Sequence, residues 1–196
     1  MSAPYPELTE RLLKENSDPL LRQFAGLLFE KANPEFLESF DDDSLVNMAT
    51  DSLGFFRDSA AGPRVEVFNP TVQEHGWESP YTVVRSTLSD RPFIVDSVKA
   101  EIRRQDQELY NVLHPVFAVT RSGDGSVAAL ARPAGHENGD LQAFELFFIE
   151  RESDPAELQQ LQTGLERVLR DVVSATDAYG QLTERARAAA ELLRER

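Results

Sequence analysis

The 196-residue sequence predicts an α+β fold: a helical N-terminal part, then an antiparallel sheet with two helices on one face. Three observations carry this expectation. Apolar residues recur at helical spacing through the first third of the chain, the period shortens to that of strands from Tyr81 onward, and two amphipathic stretches, 92 to 106 and 154 to 177, interrupt the strands. The expected divisions are a helical subdomain over 1 to 62, a short strand and connector over 63 to 80, the α+β domain over 81 to 177, and a C-terminal helical extension over 178 to 196.

Residues 6 to 15, with Leu8, Leu12 and Leu13, read as a weak helix. Asp18-Pro19 opens a stronger one, because Asp is a good cap and Pro is pre-set for the first helical position. Leu20, Leu21, Phe24, Leu27 and Leu28 then share one face. The run Asp41-Asp42-Asp43-Ser44 precedes Leu45, Met48, Ala49, Leu53 and Phe56, again at helical spacing, and acids there favour the positive helix end. A calcium loop would need a Gly at the sharp turn and a closing Glu, and this run has neither. Ala60-Ala61-Gly62-Pro63 breaks the pattern, Arg64 to Phe68 alternates like a strand, and residues 69 to 80 form a polar connector where the domain boundary is expected.

Tyr81 to Leu88 reads as a buried strand, and Ser89-Asp90-Arg91-Pro92 opens a helix with the stripe Ile94, Val95, Val98 and Ile102. Leu109 to Thr120 is a long strand interrupted by Pro115. Residues 121 to 126 supply a turn, Val127 to Ala131 returns as a hairpin arm, 132 to 140 is a loop, and Leu141 to Ile149 is the last strand. Asp154-Pro155-Ala156-Glu157 has capping-box spacing and launches the strongest helix, striped by Leu158, Leu161, Leu165, Val168, Leu169 and Val172. This order makes a ferredoxin-like layer that lacks a closing strand, which leaves an edge open to pairing. Thr183 to Arg196 reads as a separate short helix, its face of Leu182, Ala186, Ala189, Leu192 and Leu193 in need of a partner. Large apolar residues on both faces of the last strand, Phe144, Phe147, Phe148 and Ile149, require a cover for the second sheet face. The N-terminal helices, a partner subunit in a homo-oligomer, or a following domain could supply it.

Composition removes several classes of function. With 34 Asp and Glu against 20 Lys and Arg, the net charge of −14 argues against a nucleic-acid partner. The absence of cysteine excludes disulfides, thiolate metal sites and cysteine nucleophiles. No apolar run approaches the roughly 20 residues of a membrane span, and no signal peptide is visible, so no membrane partner and a cytoplasmic location are expected.

Several ordered blocks then stand out: Val67-Phe68-Asn69-Pro70, Gly76-Trp77, Tyr81-Thr82-Val83-Val84, Asp90-Arg91-Pro92-Phe93-Ile94-Val95-Asp96-Ser97-Val98, and His114-Pro115-Val116. Together they resemble the N-terminal region of the large NAD-dependent glutamate dehydrogenases of bacteria, over about residues 20 to 180. The resemblance implies a first ACT-like domain upstream of the catalytic part. It implies a parent that oxidatively deaminates L-glutamate to 2-oxoglutarate with NAD, and a non-catalytic assembly or regulatory role for this segment, with the parent's later domains as partners. The family's catalytic lysine and aspartate and its nucleotide-binding loop belong to segments outside this sequence. Consistently, no G-x-G-x-x-G follows any strand, and Lys14, Lys31 and Lys99 all fall on predicted helical surfaces. The chain alone is expected to lack enzyme activity and to hold neither cofactor nor metal.

The alternative is a free-standing ACT-type module that binds an amino acid. In amino-acid-sensing ACT domains the effector sits at the first strand–helix loop, here Ser89, Asp90, Arg91, Pro92 and Phe93, usually beside a glycine. Phe93 takes that glycine's place, and its bulk disfavours a small effector. The preferred reading makes Asp90 a helix cap and Phe93 a core anchor. His75, His114 and His136 lack metal-ligand spacing, and Glu145 and Glu150 point to opposite faces of one strand, so no catalytic or metal constellation is expected.

Overall fold

The Asp18 carboxylate accepts a hydrogen bond from the Leu20 amide and Pro19 occupies the first turn, so helix α1 (Pro19–Leu28) begins at the Asp-Pro pair. The structure, a computed structural model, describes residues 18–57, 62–134 and 140–194, with side chains through Tyr179 and at Leu182. The helix expected over 6 to 15 lies outside the described residues. A single-turn helix α2 (Pro34–Leu37), opened by Asn33, leads into α3 (Asp42–Arg57). Asp41 accepts from the Ser44 amide at 2.7 Å, and that bond holds its carboxyl below the usual carboxylate range. The acidic run is a cap.

The sheet comprises β1 (Arg64–Phe68), β2 (Thr82–Ser89), β3 (Leu109–Leu113), β4 (Val116–Arg121), β5 (Val127–Ala131) and β6 (Asp140–Ile149), all pairs antiparallel. Its order is β1-β2-β6-β4-β5, with β3 also on β6. The strand expected over 109 to 120 is split at His114-Pro115, because Pro has no amide to give a ladder; β3 pairs the far half of β6 and β4 the near half.

Three expectations are corrected here. First, the strand placed in the connector belongs to the sheet. β1 pairs β2 along its whole length and fills the position of the missing closing strand, entering from the N-terminal side. That edge is therefore not open beside β2. On β1 itself, the Val67 amide donates to Gln162 Oε1 at 3.3 Å, while on β5 the Leu130 amide donates to Gln23 Oε1 at 2.8 Å. Glutamines from the overlying helices thus occupy backbone donors on both outer strands. The connector also carries a short helix, α4 (Val72–His75), ended by Gly76 at φ 78°, where a Cβ would press on Asn47.

Second, the boundary at 69 to 80 does not separate two cores. Val83, Phe117, Phe144, Leu146 and Phe148 on one sheet face form a single cluster with the apolar faces of α1 and α3. Phe24 lies 5.0 Å from Phe117 and 5.3 Å from Phe144, ring centre to ring centre. The N-terminal helices cover the second sheet face.

Third, the terminal helix is not a separate short one. Helix α6 (Pro155–Arg194) runs 40 residues unbroken, about 60 Å at 1.5 Å per residue. Asp154 caps it through the Ala156 amide at 2.8 Å. The capping box does not form, because the Asp154 amide donates to Glu152 and not to Glu157.

The opposite sheet face carries α5 (Ile94–Arg104) and the first half of α6 side by side, as expected. Val65, Val67, Val84, Leu88, Phe147 and Ile149 from the sheet meet Ile94, Val98, Ile102, Leu161, Leu165 and Leu169 from the helices. Among the described residues no helix is long and apolar enough to cross a membrane.

Candidate functional site

The loop from β2 to α5 is built by three anchors. The Asp90 amide donates to the Leu141 carbonyl at 2.8 Å and continues the sheet pairing by one residue. Arg91 reaches α6, donating from Nη1 to Thr176 Oγ1 and Asp177 Oδ1, each at 3.0 Å. Ile94, 2% exposed, plugs the core.

Asp90 and Phe93 do not behave as expected. Asp90 is exposed and does not cap α5. Phe93 sits at the N-cap position with φ 74° and ψ 3°, and it is 67% exposed. The left-handed backbone turns its Cβ away from the helix track, so the side chain points outward and Ile94 takes the anchoring role. The phenylalanine thus adopts the conformation that a glycine would hold easily. Helix α5 consequently begins with no side-chain cap, and among the described residues no side chain accepts from its first-turn amides.

A second polar centre lies on the face covered by the N-terminal helices. Arg85 is buried, pairing with Asp51 at 2.8 Å and Glu66 at 2.6 Å, and its guanidinium stacks between the Phe55 and Phe68 rings at 4.6 and 4.5 Å. Trp77 donates its indole N–H to Asp51 at 3.1 Å. Residues of α3, β1, β2 and the connector thereby converge on one charge cluster.

The third centre was not legible in the sequence. Glu145, fully buried on β6, stands directly opposite Ser86 of β2 and accepts its hydroxyl at 2.5 Å. Its other oxygen makes no hydrogen bond and lies 3.5 Å from His114 Nδ1. Glu150 is exposed beyond the strand, so the two glutamates do not pair. The only hint in the sequence was one carboxylate inside the apolar run 143 to 149; its partners required the strand register. The His114 ring also lines a cavity of about 640 Å³ between the end of α1 and the break at Pro115. Among the other histidines, His75 stacks on Phe68 and accepts from the Thr71 amide, and His136 lies outside the described residues. Among the described residues no three His, Asp or Glu side chains gather as a metal site.

The strand–helix connections, 90 to 93 and 150 to 154, contain no glycine, and the first holds the bulky Phe93 at a positive φ. These residues do not fit the close approach of a dinucleotide pyrophosphate.

With the geometry established, comparison with known proteins is specific. Residues 24–165, from α1 through the helix that closes the second layer, match the family model described as glutamate dehydrogenase, ACT1 domain. The chain belongs to that family. The ACT1 domain is 36% identical over 135 residues to the NAD-specific glutamate dehydrogenase of Halomonas elongata, covering 67% of this chain and 8% of that protein. Against the NAD-specific glutamate dehydrogenase of Pseudomonas aeruginosa it is 33% identical over 112 residues, covering 56% and 7%. The matched part spans less than a tenth of either relative's length. No solved structure matches the ACT1 domain significantly.

Proposed function

We propose that this chain is the non-catalytic N-terminal segment of a large NAD-dependent glutamate dehydrogenase and serves assembly or regulation of that cytoplasmic enzyme. The parent would convert L-glutamate to 2-oxoglutarate with NAD on later domains, which are this segment's partners. The observation that carries the reading is the family match over 24–165, which takes in the helices on both sheet faces and the sheet between them. A layer whose faces are both filled by its own helices leaves no room for a dinucleotide against the sheet, which supports a role outside catalysis. Reading the gene beyond the Arg196 codon is the test. A frame that continues into a nucleotide-binding glycine loop is expected, together with no glutamate-dependent NAD reduction by the 196-residue chain alone. A stop codon at that point, or activity in the isolated chain, would overturn the reading.

A second reading, an ACT-type module that takes an amino acid at Ser89 to Phe93, is favoured by one observation. Phe93 points outward and α5 starts without a side-chain cap, so the objection from its bulk weakens. Titrating amino acids against the amide resonances of Ile94 to Asp96 tests it, and unmoved resonances at millimolar ligand would reject it.

A further inference from the structure

The buried glutamate is the starting point. A carboxylate fully removed from water requires compensation at both oxygens, and Glu145 has a hydroxyl on one and only the His114 ring near the other. The His114 Nδ1 edge faces that oxygen at 3.5 Å, and the residue also lines the cavity. The cavity lies where Pro115 interrupts the strand and the β4–β5 pairing ends at Ala118 opposite Ala131. Its floor is aliphatic, with Leu27, Leu28 and Val116. Among the described residues, three further charged groups line it. Arg132 is bound to Glu30, whereas Lys31 has no ion pair or hydrogen bond among the described residues. Apart from the neutralised Arg132–Glu30 pair, the described lining therefore offers the Lys31 ammonium and an imidazole backed by a buried carboxylate. A cavity of this size with an apolar floor and a few convergent polar groups has the character of a small-molecule site.

We propose that this cavity binds a small carboxylate with a short aliphatic body, the carboxylate held between Lys31 and the imidazolium of His114 and the chain lying on Leu27, Leu28 and Val116. Binding draws a proton from solvent onto the outward nitrogen of His114, with Glu145 balancing the charge from behind; among the described residues, Glu30, Lys31 and Arg132 are the other charged groups lining that space. The inference does not depend on what the parent enzyme catalyses. It also concerns a different place from the β2–α5 loop.

Three probes of equal size separate the chemistry: butyrate, butyramide and n-butylamine, each titrated into the 196-residue chain while the amide resonances of Val112 to Val116 are followed. Butyrate is expected to move them, more tightly at pH 6 than at pH 8, and butyramide to leave them in place. Both Lys31 and His114 are exposed, so Lys31→Met and His114→Gln should keep the fold. Each should weaken butyrate about tenfold or more, the usual loss for a charged hydrogen bond, and His114→Gln should also abolish the pH dependence. Butyramide binding as well as butyrate, preference for the amine, no response to butyrate, or an undiminished affinity in Lys31→Met would overturn the proposal.

Discussion

Phe93 permits a sharp stability test, because two opposing quantities can be worked from its position. The residue is 67% exposed, so about a third of a surface of roughly 200 Å², or ~65 Å², is covered; at ~25 cal/mol per Å² the lost contact in Phe93→Ala is about 1.6 kcal/mol. A fully buried phenylalanine would cost about 3 to 5 kcal/mol on the same truncation. The backbone at φ 74° carries a strain of roughly 1 to 2 kcal/mol that alanine keeps and glycine removes, against which glycine's added unfolded-state freedom costs about 0.5 to 1 kcal/mol. Phe93→Gly should therefore melt above Phe93→Ala by up to about 1.5 kcal/mol and so lie about 0.1 to 1.6 kcal/mol below wild type. Urea unfolding of the three proteins, with equal slopes, gives the ranking directly. A loss of 3 kcal/mol or more in the alanine variant would mean the ring is buried. A glycine variant less stable than the alanine variant would mean the left-handed conformation is not real, and the uncapped start of α5 would go with it.

Arg85→Ala strands the Asp51 carboxylate and leaves the Phe55 and Phe68 faces unfilled, so a loss of about 3 kcal/mol is expected in chemical denaturation; a loss below 1 kcal/mol would show the cluster to be solvated. At Gly164, where α6 crosses α5, an added Cβ would press on the side-chain ends of Glu101 and Gln105, which would have to swing aside and give up their mutual hydrogen bond. Gly164→Ala should accordingly destabilise by about 1 to 3 kcal/mol through overpacking, although alanine is the better helix former; a thermal midpoint at or above wild type would refute the close approach. The hydrogen bonds from Arg104, followed by the one from Gln105, hold the Glu101 carboxyl below its ordinary value of 4.5, against the opposing effect of burial. Its contribution is thus complete above about pH 4.5 and fades as the pH falls through the lowered value. The stability gap between wild type and Glu101→Gln should close on acidification in that window, and a gap that stays constant to pH 3 would contradict the assignment.

The sequence by itself determined the elements whose signals are local. Asp18-Pro19, the Asp41 run and Asp154-Pro155 each start a helix where they stand, because a cap and a fixed φ act over a few residues. The stripes of α5 and α6 fixed their shared sheet face for the same reason, and the ordered blocks around Trp77, Arg91 and His114 were enough to find the family. Only the tertiary structure decided three other things. It decided that β1 enters the sheet ahead of the layer it closes, since strand pairing depends on a partner 19 residues away and carries no local mark. It decided that Phe93 faces water, since a positive φ at a bulky residue is imposed by the Arg91 and Ile94 anchors on either side and runs against the residue's own preference. It decided, finally, that Ser86, Glu145 and His114 meet beside a cavity. A strand reveals which face a residue occupies by alternation alone, but what stands opposite it is set by register, and register is a property of the folded sheet.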